Sequence, residues 1–191
     1  MQITTQDQEV IIQQVKEFAT EAHGDQRRKY SGERYMAHLL RVMNTCYLHL
    51  NTLPVLAAAL LHDVLEDTPV TEADVRKFLH SVMIQEDAEH TLALVVELTD
   101  EYTKKKFPRL NRTERKHHER ERLISISPEA QTIKYADIID NSVDIVENDP
   151  DFALTFLNEY IEVLRGMDKG DQVLYREALK TVRSCLVNLY S

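Results

Sequence analysis

His62-Asp63, followed one turn later by Glu66-Asp67, is the group of residues in this sequence best suited to chemistry. Imidazole nitrogens and carboxylate oxygens together suit first-row divalent cations, and a carboxylate beside such an ion can move protons. The four residues close the stretch Leu56–Thr68, LAAALLHDVLEDT, whose pattern predicts an apolar helix running through them. On one continuous helix, at about 100° per residue, His62 and Glu66 share a face and Asp63 and Asp67 the neighbouring one. Acids in a last helical turn oppose the helix dipole unless a cation is close. A solvated helix end would explain acids there more simply. The apolar run that carries His62 and Asp63 toward the core favours a functional site.

The elements that must position these residues are punctuated by glycine and proline. All four glycines and all five prolines fall between periodic segments, which predicts an all-α bundle forming one domain over residues 1–191. A first helix is expected after Thr5, with Gln8 completing a capping box and Gly24 ending it. A second is expected from His38, with Leu39, Val42, Cys46 and Tyr47 on its apolar side. Thr71, answered by Asp74, caps a short helix, and another begins near Glu86 with Leu92, Val95 and Val96 inward. Thr113–Ile124 reads as an exposed, charge-laced helix whose His117 and His118 are not ligands. Ser127-Pro128 starts a long helix with Ile133, Ala136, Ile139 and Val143 at helical spacing. Two last helices follow the break at Asn148-Asp-Pro150.

Composition bounds the class. At 191 residues and 43% hydrophobic, the chain can bury a substantial core. Cys46 and Cys185 lack metal or redox spacing and read as reduced core residues. The amino terminus shows no leader pattern and no apolar run could span a bilayer, so a soluble, cytoplasmic protein with no membrane partner is expected. A net charge of −9 argues against a nucleic-acid polymer as partner but leaves room for a phosphorylated small molecule.

The His-Asp pair with Glu-Asp one turn on resembles the HD superfamily of metal-dependent phosphohydrolases. Within it, the chain is most similar to the hydrolase domain of the RelA/SpoT proteins and to stand-alone alarmone hydrolases of the Mesh1 type. Further segments carry the resemblance: Gln26-Arg-Arg-Lys29 with Tyr35-x-x-His38; Leu98-Thr-Asp-Glu-Tyr102; Phe107-Pro-Arg109 followed by Glu114-Arg-Lys116; and Lys134-x-Ala136-Asp137-x-x-x-Asn141. The chain departs from the family pattern at Arg34 (Pro), Ala37 (Asn) and Ile138 (Lys), and has no tryptophan. The resemblance covers roughly residues 20–147.

The resemblance implies hydrolysis of the 3′-pyrophosphate of guanosine tetra- or pentaphosphate, with one divalent ion, Mn²⁺ or another first-row metal, held by His38, His62, Asp63 and Asp137. It implies Glu66 and Asp67 as the catalytic carboxylates. Substrate contacts would come from Arg27, Arg28, Lys29, Tyr35, Arg109 and Asn141, with Tyr35 against base or sugar and Asn141 on the ribose. No synthetase region follows, so degradation alone is expected. Two alternatives remain open: another nucleotide substrate, such as a deoxynucleoside triphosphate or NADPH, and a non-catalytic nucleotide-binding regulator. The sequence is silent on whether the protein is a homo-oligomer.

Overall fold

A computed structural model describes residues 5–29 and 31–189, the side chain of Thr5 excepted. The capping box expected at Thr5 therefore lies outside the described residues. Among those described, the fold is all-α, as expected, and its one β pairing is an isolated bridge between Arg27 and Arg34. The chain divides into two compact units. One holds the chain up to Arg28 together with Gly32–Thr99; the other holds Asp100 onward with Lys29 and Ser31.

The first unit comprises α1 (Thr5–His23), α2 (Tyr35–His49), α3 (Leu53–Leu61), α4 (Val64–Asp67), α5 (Glu72–Val82) and α6 (Gln85–Leu98). Its centre is α3. Every residue from Leu53 to Leu61 is buried, because a helix apolar on all sides has no face to give to water. It packs against α1, α2 and α6. Thr71 and Asp74 form the expected capping box at the start of α5.

Three expectations for this unit need correction. The helix through the His-Asp pair is not continuous: α3 stops at Leu61, His62 and Asp63 form a turn, and α4 is a separate four-residue helix. The acids are thus not in the last turn of the apolar helix, and the dipole conflict does not arise in the expected form. The second helix begins at Tyr35, one turn before His38. Tyr47 and Val96 face outward, at 56% and 41% exposure.

The second unit comprises α7 (Arg112–Ser125), α8 (Pro128–Asn148), α9 (Pro150–Leu164) and α10 (Gln172–Asn188). Ser127 caps α8 as expected, accepting from the Ala130 N–H at 3.2 Å. Helix α8 packs against α9 and α10. Gly170 permits a close approach: a Cβ there would lie 2.6 Å from the Tyr135 ring and 2.9 Å from the Thr132 backbone nitrogen. Val143 is exposed, against expectation. Helix α7 is mostly exposed, but Glu119 is buried, accepting from the backbone N–H groups of Glu101 and Tyr102 and from Arg122. His118 stacks on Tyr102. Cys46 and Cys185 are buried thiols that form no disulfide with each other.

Candidate metal centre and catalytic carboxylates

The interruption between α3 and α4 aims His62 and Asp63 at one point. The His62 Nδ1–H donates to the Ala59 carbonyl at 2.9 Å, which leaves the lone pair on Nε2. That nitrogen lies 3.1 Å from Asp63 Oδ2. His38, one turn into α2, brings its own Nε2 to 3.6 Å from the same oxygen. The two rings meet edge-on with centroids 5.2 Å apart, and both histidines are buried. Two imidazole nitrogens and a carboxylate oxygen therefore converge, oriented through a hydrogen bond on the far side of one ring. This donor set, without sulfur, fits a divalent first-row cation.

Tyr35 is also drawn to this point. Its hydroxyl donates to Asp63 Oδ2 at 2.7 Å, and its ring meets His38 edge-on at 5.7 Å. Burial, reinforced by the charges of Asp63 and Asp67, pushes its phenol well above the ordinary tyrosine value, so the hydroxyl remains a donor at neutral pH. A contact with base or sugar was expected of Tyr35; in this structure its hydroxyl is engaged by Asp63.

The loop before α2 explains how Tyr35 is placed. Gly24 (φ 53°) ends α1, and the chain folds back on itself, with Gly32 (φ 70°) near the tip. Arg28 N–H donates to Glu33 O at 2.9 Å and Tyr35 N–H to Gln26 O at 3.0 Å. Tyr35 and Gln26 are thus backbone partners. The Arg34 amide takes no part in this pairing, and its φ of −62° is that of proline, so the departure at 34 leaves the loop geometry intact. The Gln26 side chain donates to Asp67 Oδ2 at 3.1 Å, and its carbonyl oxygen lies 2.8 Å from His23 Nδ1. The motifs in the sequence mark no site role for His23 or for Gln26 itself. The signal was their i, i+3 spacing across a helix end.

Glu66 and Asp67 form the exposed side of α4, and their amides both donate to the Asp63 carbonyl, at 3.1 and 2.9 Å. The single turn of α4 therefore links Asp63, an expected ligand, to the expected catalytic pair.

In the second unit, Asp137 is 1% exposed on α8. It pairs with Lys134 Nζ at 2.8 Å and accepts from the Asn141 amide one turn on. Burial alone would lower the Lys134 ammonium, but Asp137, with Tyr160 and Asp100, holds it well above its ordinary value. Burial, then Asp137, pushes the Tyr160 phenol up as well. Asn141, expected on a ribose, is engaged here by Asp137.

The expected phosphate contacts differ in setting. Arg27 is exposed and donates to the Gly32 carbonyl at 2.8 Å, whereas Arg28 is buried. Lys29 lies 5.9 Å from the centroid of the Phe152 ring. Arg109 is exposed on the loop before α7.

The HD domain family model matches residues 35–142. The chain is 34% identical over 172 residues to the mouse guanosine-3′,5′-bis(diphosphate) 3′-pyrophosphohydrolase MESH1, covering 86% of this chain and 88% of that one. Its similarity to the human MESH1 enzyme is of the same order, 34% over 171 residues with 86% and 88% covered. Among solved structures, a metazoan ortholog of SpoT, described as hydrolysing ppGpp, superposes with a TM-score of 0.77 at 26% identity, covering 91% of this chain and 94% of that one. A Listeria monocytogenes protein at 23% identity shares the fold, with a TM-score of 0.58 and 83% and 99% covered. The HD motif, the converging histidines and these relatives agree: the chain belongs to the HD domain family and is a Mesh1-like hydrolase.

Proposed function

We propose that this protein is a guanosine-3′,5′-bis(diphosphate) 3′-pyrophosphohydrolase. The observation that carries the substrate is the 34% identity to MESH1 enzymes over 86% of the chain. The observation that carries the chemistry is the convergence of His38 Nε2 and His62 Nε2 on Asp63 Oδ2.

His38, His62 and Asp63 would hold one divalent ion. Asp137, a buried acid inside the span matched by the family model, is assigned as the remaining ligand on the resemblance. Mn²⁺ is the reading that the mixed nitrogen and oxygen donor set supports. Bound there, the ion supplies Lewis acidity toward a phosphoryl oxygen and makes water a stronger acid.

The protein's own side chains do the rest. Tyr35 holds the Asp63 carboxylate by its hydroxyl, and the Ala59 carbonyl holds the His62 ring. Glu66 and Asp67, exposed where solvent and substrate can reach them, are assigned to take a proton from the attacking water and return one to the departing 3′ oxygen. The bond broken joins that oxygen to the 3′-pyrophosphate; the products are pyrophosphate and a nucleotide with a free 3′-hydroxyl. Arg27, Arg28, Lys29 and Arg109 supply positive charge for the phosphates, and Asn141 is assigned to the sugar on the resemblance.

One HD domain over the whole chain, acting on a small nucleotide in the cytoplasm in the turnover of a stringent-response signal, completes the reading. Burial of both thiols suits a reducing compartment, and no described helix is long and apolar enough to cross a membrane. The test is a turnover panel of ppGpp, pppGpp, deoxynucleoside triphosphates and NADPH with Mn²⁺. Pyrophosphate released from the guanosine 3′ position is the expected product.

A further inference from the structure

We propose that Gln26 is a positioning residue for Asp67, and that His23 fixes Gln26 in the orientation required. The proposal rests on the assignment of Asp67 to proton transfer. Asp67 is exposed on a helix of one turn, where little packing selects its rotamer. The Gln26 amide supplies that selection by donating to Oδ2 at 3.1 Å.

The network has one consistent polarity. A carboxylate only accepts, so the Gln26 NH₂ must face Asp67 and its carbonyl oxygen must face His23 Nδ1, which then carries a proton. His23 Nε2 is buried and has no hydrogen-bond partner among the described residues, which fits a nitrogen without a proton. The ring itself is pinned by parallel stacking on Tyr35, with centroids 4.7 Å apart and planes 11° apart. Tyr35 also holds the Gln26 backbone through its N–H.

Gln26 is thus held at its backbone carbonyl oxygen by the Tyr35 N–H and at its side-chain carbonyl oxygen by His23 Nδ1. The Tyr35 hydroxyl donates to Asp63 and also faces Asp67, and the Gln26 amide donates to Asp67. One clamp, built where α1 ends and α2 begins, sets both the metal-facing carboxylate and the proton-handling one. Removing the Gln26 or His23 side chain should misplace Asp67 and slow turnover, while Tyr35 still holds Asp63 and metal affinity is kept.

The experiment compares Gln26→Glu, Gln26→Leu, His23→Phe, His23→Asn and Asp67→Asn in the full chain. The readouts are kcat and KM on ppGpp and the Mn²⁺ dissociation constant by calorimetry. Gln26→Glu keeps the shape but sets an acceptor against Asp67. Both Gln26 variants should lose about 10- to 100-fold in kcat, as a misplaced catalytic group does. KM and the Mn²⁺ constant should stay within about threefold, since uniform binding is untouched. His23→Phe keeps the stack but drops the donor and should lose kcat; His23→Asn restores a donor near Nδ1 and should recover most of it. Wild-type kcat in Gln26→Glu, a loss confined to KM, or equal behaviour of the two His23 variants would overturn the proposal. If Asp67→Asn retains full kcat, the assignment of Asp67 fails and the positioning role falls with it. If Asp67→Asn is inactive while Gln26→Glu is active, only the positioning role fails.

Discussion

The Tyr35 hydroxyl donates to Asp63 Oδ2 at 2.7 Å, the same oxygen that the Nε2 atoms of His38 and His62 face. A residue 28 positions away in the sequence therefore shares the carboxylate with the metal-binding imidazoles. Tyr35→Phe keeps the stack on His23 and removes the hydroxyl, which faces Asp67 as well as Asp63. The expected outcome is a Mn²⁺ dissociation constant weakened by about tenfold, in the range seen when a residue that orients a ligand is lost. Calorimetric titration checks it; unchanged affinity would show that the hydroxyl does not orient the ligand.

Glu66→Gln and Asp67→Asn should separate chemistry from binding. Each keeps shape and polarity and removes proton exchange, so kcat should fall by about 10²–10⁴ with metal affinity retained. Loss of Mn²⁺ in either variant, measured by metal analysis after desalting, would move that residue into the ligand set.

Alkaline stability reports the buried phenols. Burial raises Tyr35 and Tyr160 above the ordinary value of 10.0, so the folded chain keeps protons that the unfolded chain releases. Their contribution is fully present below pH 10 and is lost as pH rises further, because the unfolded state then binds fewer protons. Urea midpoints should fall steadily above pH 10, and Tyr160→Phe should flatten that fall. A slope unchanged in Tyr160→Phe would assign the fall to other groups.

Two substitutions probe the frame. Leu60 is fully buried on α3, and Leu60→Ala should cost about 2–5 kcal/mol through lost burial and a cavity. Ser127→Ala removes the cap of α8 and should cost about 1 kcal/mol. Urea denaturation checks both, and the expected order is the larger loss at Leu60.

How far the sequence reached depends on the kind of signal. Caps and breakers act locally, so Thr71 with Asp74, Ser127 and the Asp149-Pro150 break were all legible from a few neighbouring residues. The burial of α3 followed from its unbroken apolar run. The interruption at His62-Asp63 was not legible, because neither residue is a helix breaker and the turn exists only through tertiary placement of their side chains. The HD pattern marked His38, His62 and Asp63. It could not show that Tyr35 would reach Asp63, or that Gln26 would reach Asp67 across 41 positions, since such bonds depend on the loop folding back. Glu119 was hidden for a related reason. On a helix crowded with charge, only the two backbone amides of a separate loop distinguish the buried acid.

Product release from ppGpp with Mn²⁺, followed for the wild-type chain and for Asp63→Ala, tests whether this chain is a metal-dependent ppGpp hydrolase. Pyrophosphate and GDP are expected in equal amounts from the wild type. Turnover should be abolished by chelation and by Asp63→Ala, with ppGpp preferred over deoxynucleoside triphosphates and NADPH. A wild-type chain that retains Mn²⁺ yet leaves ppGpp intact would exclude that activity, and an Asp63→Ala chain that hydrolyses ppGpp normally would exclude Asp63 from the site.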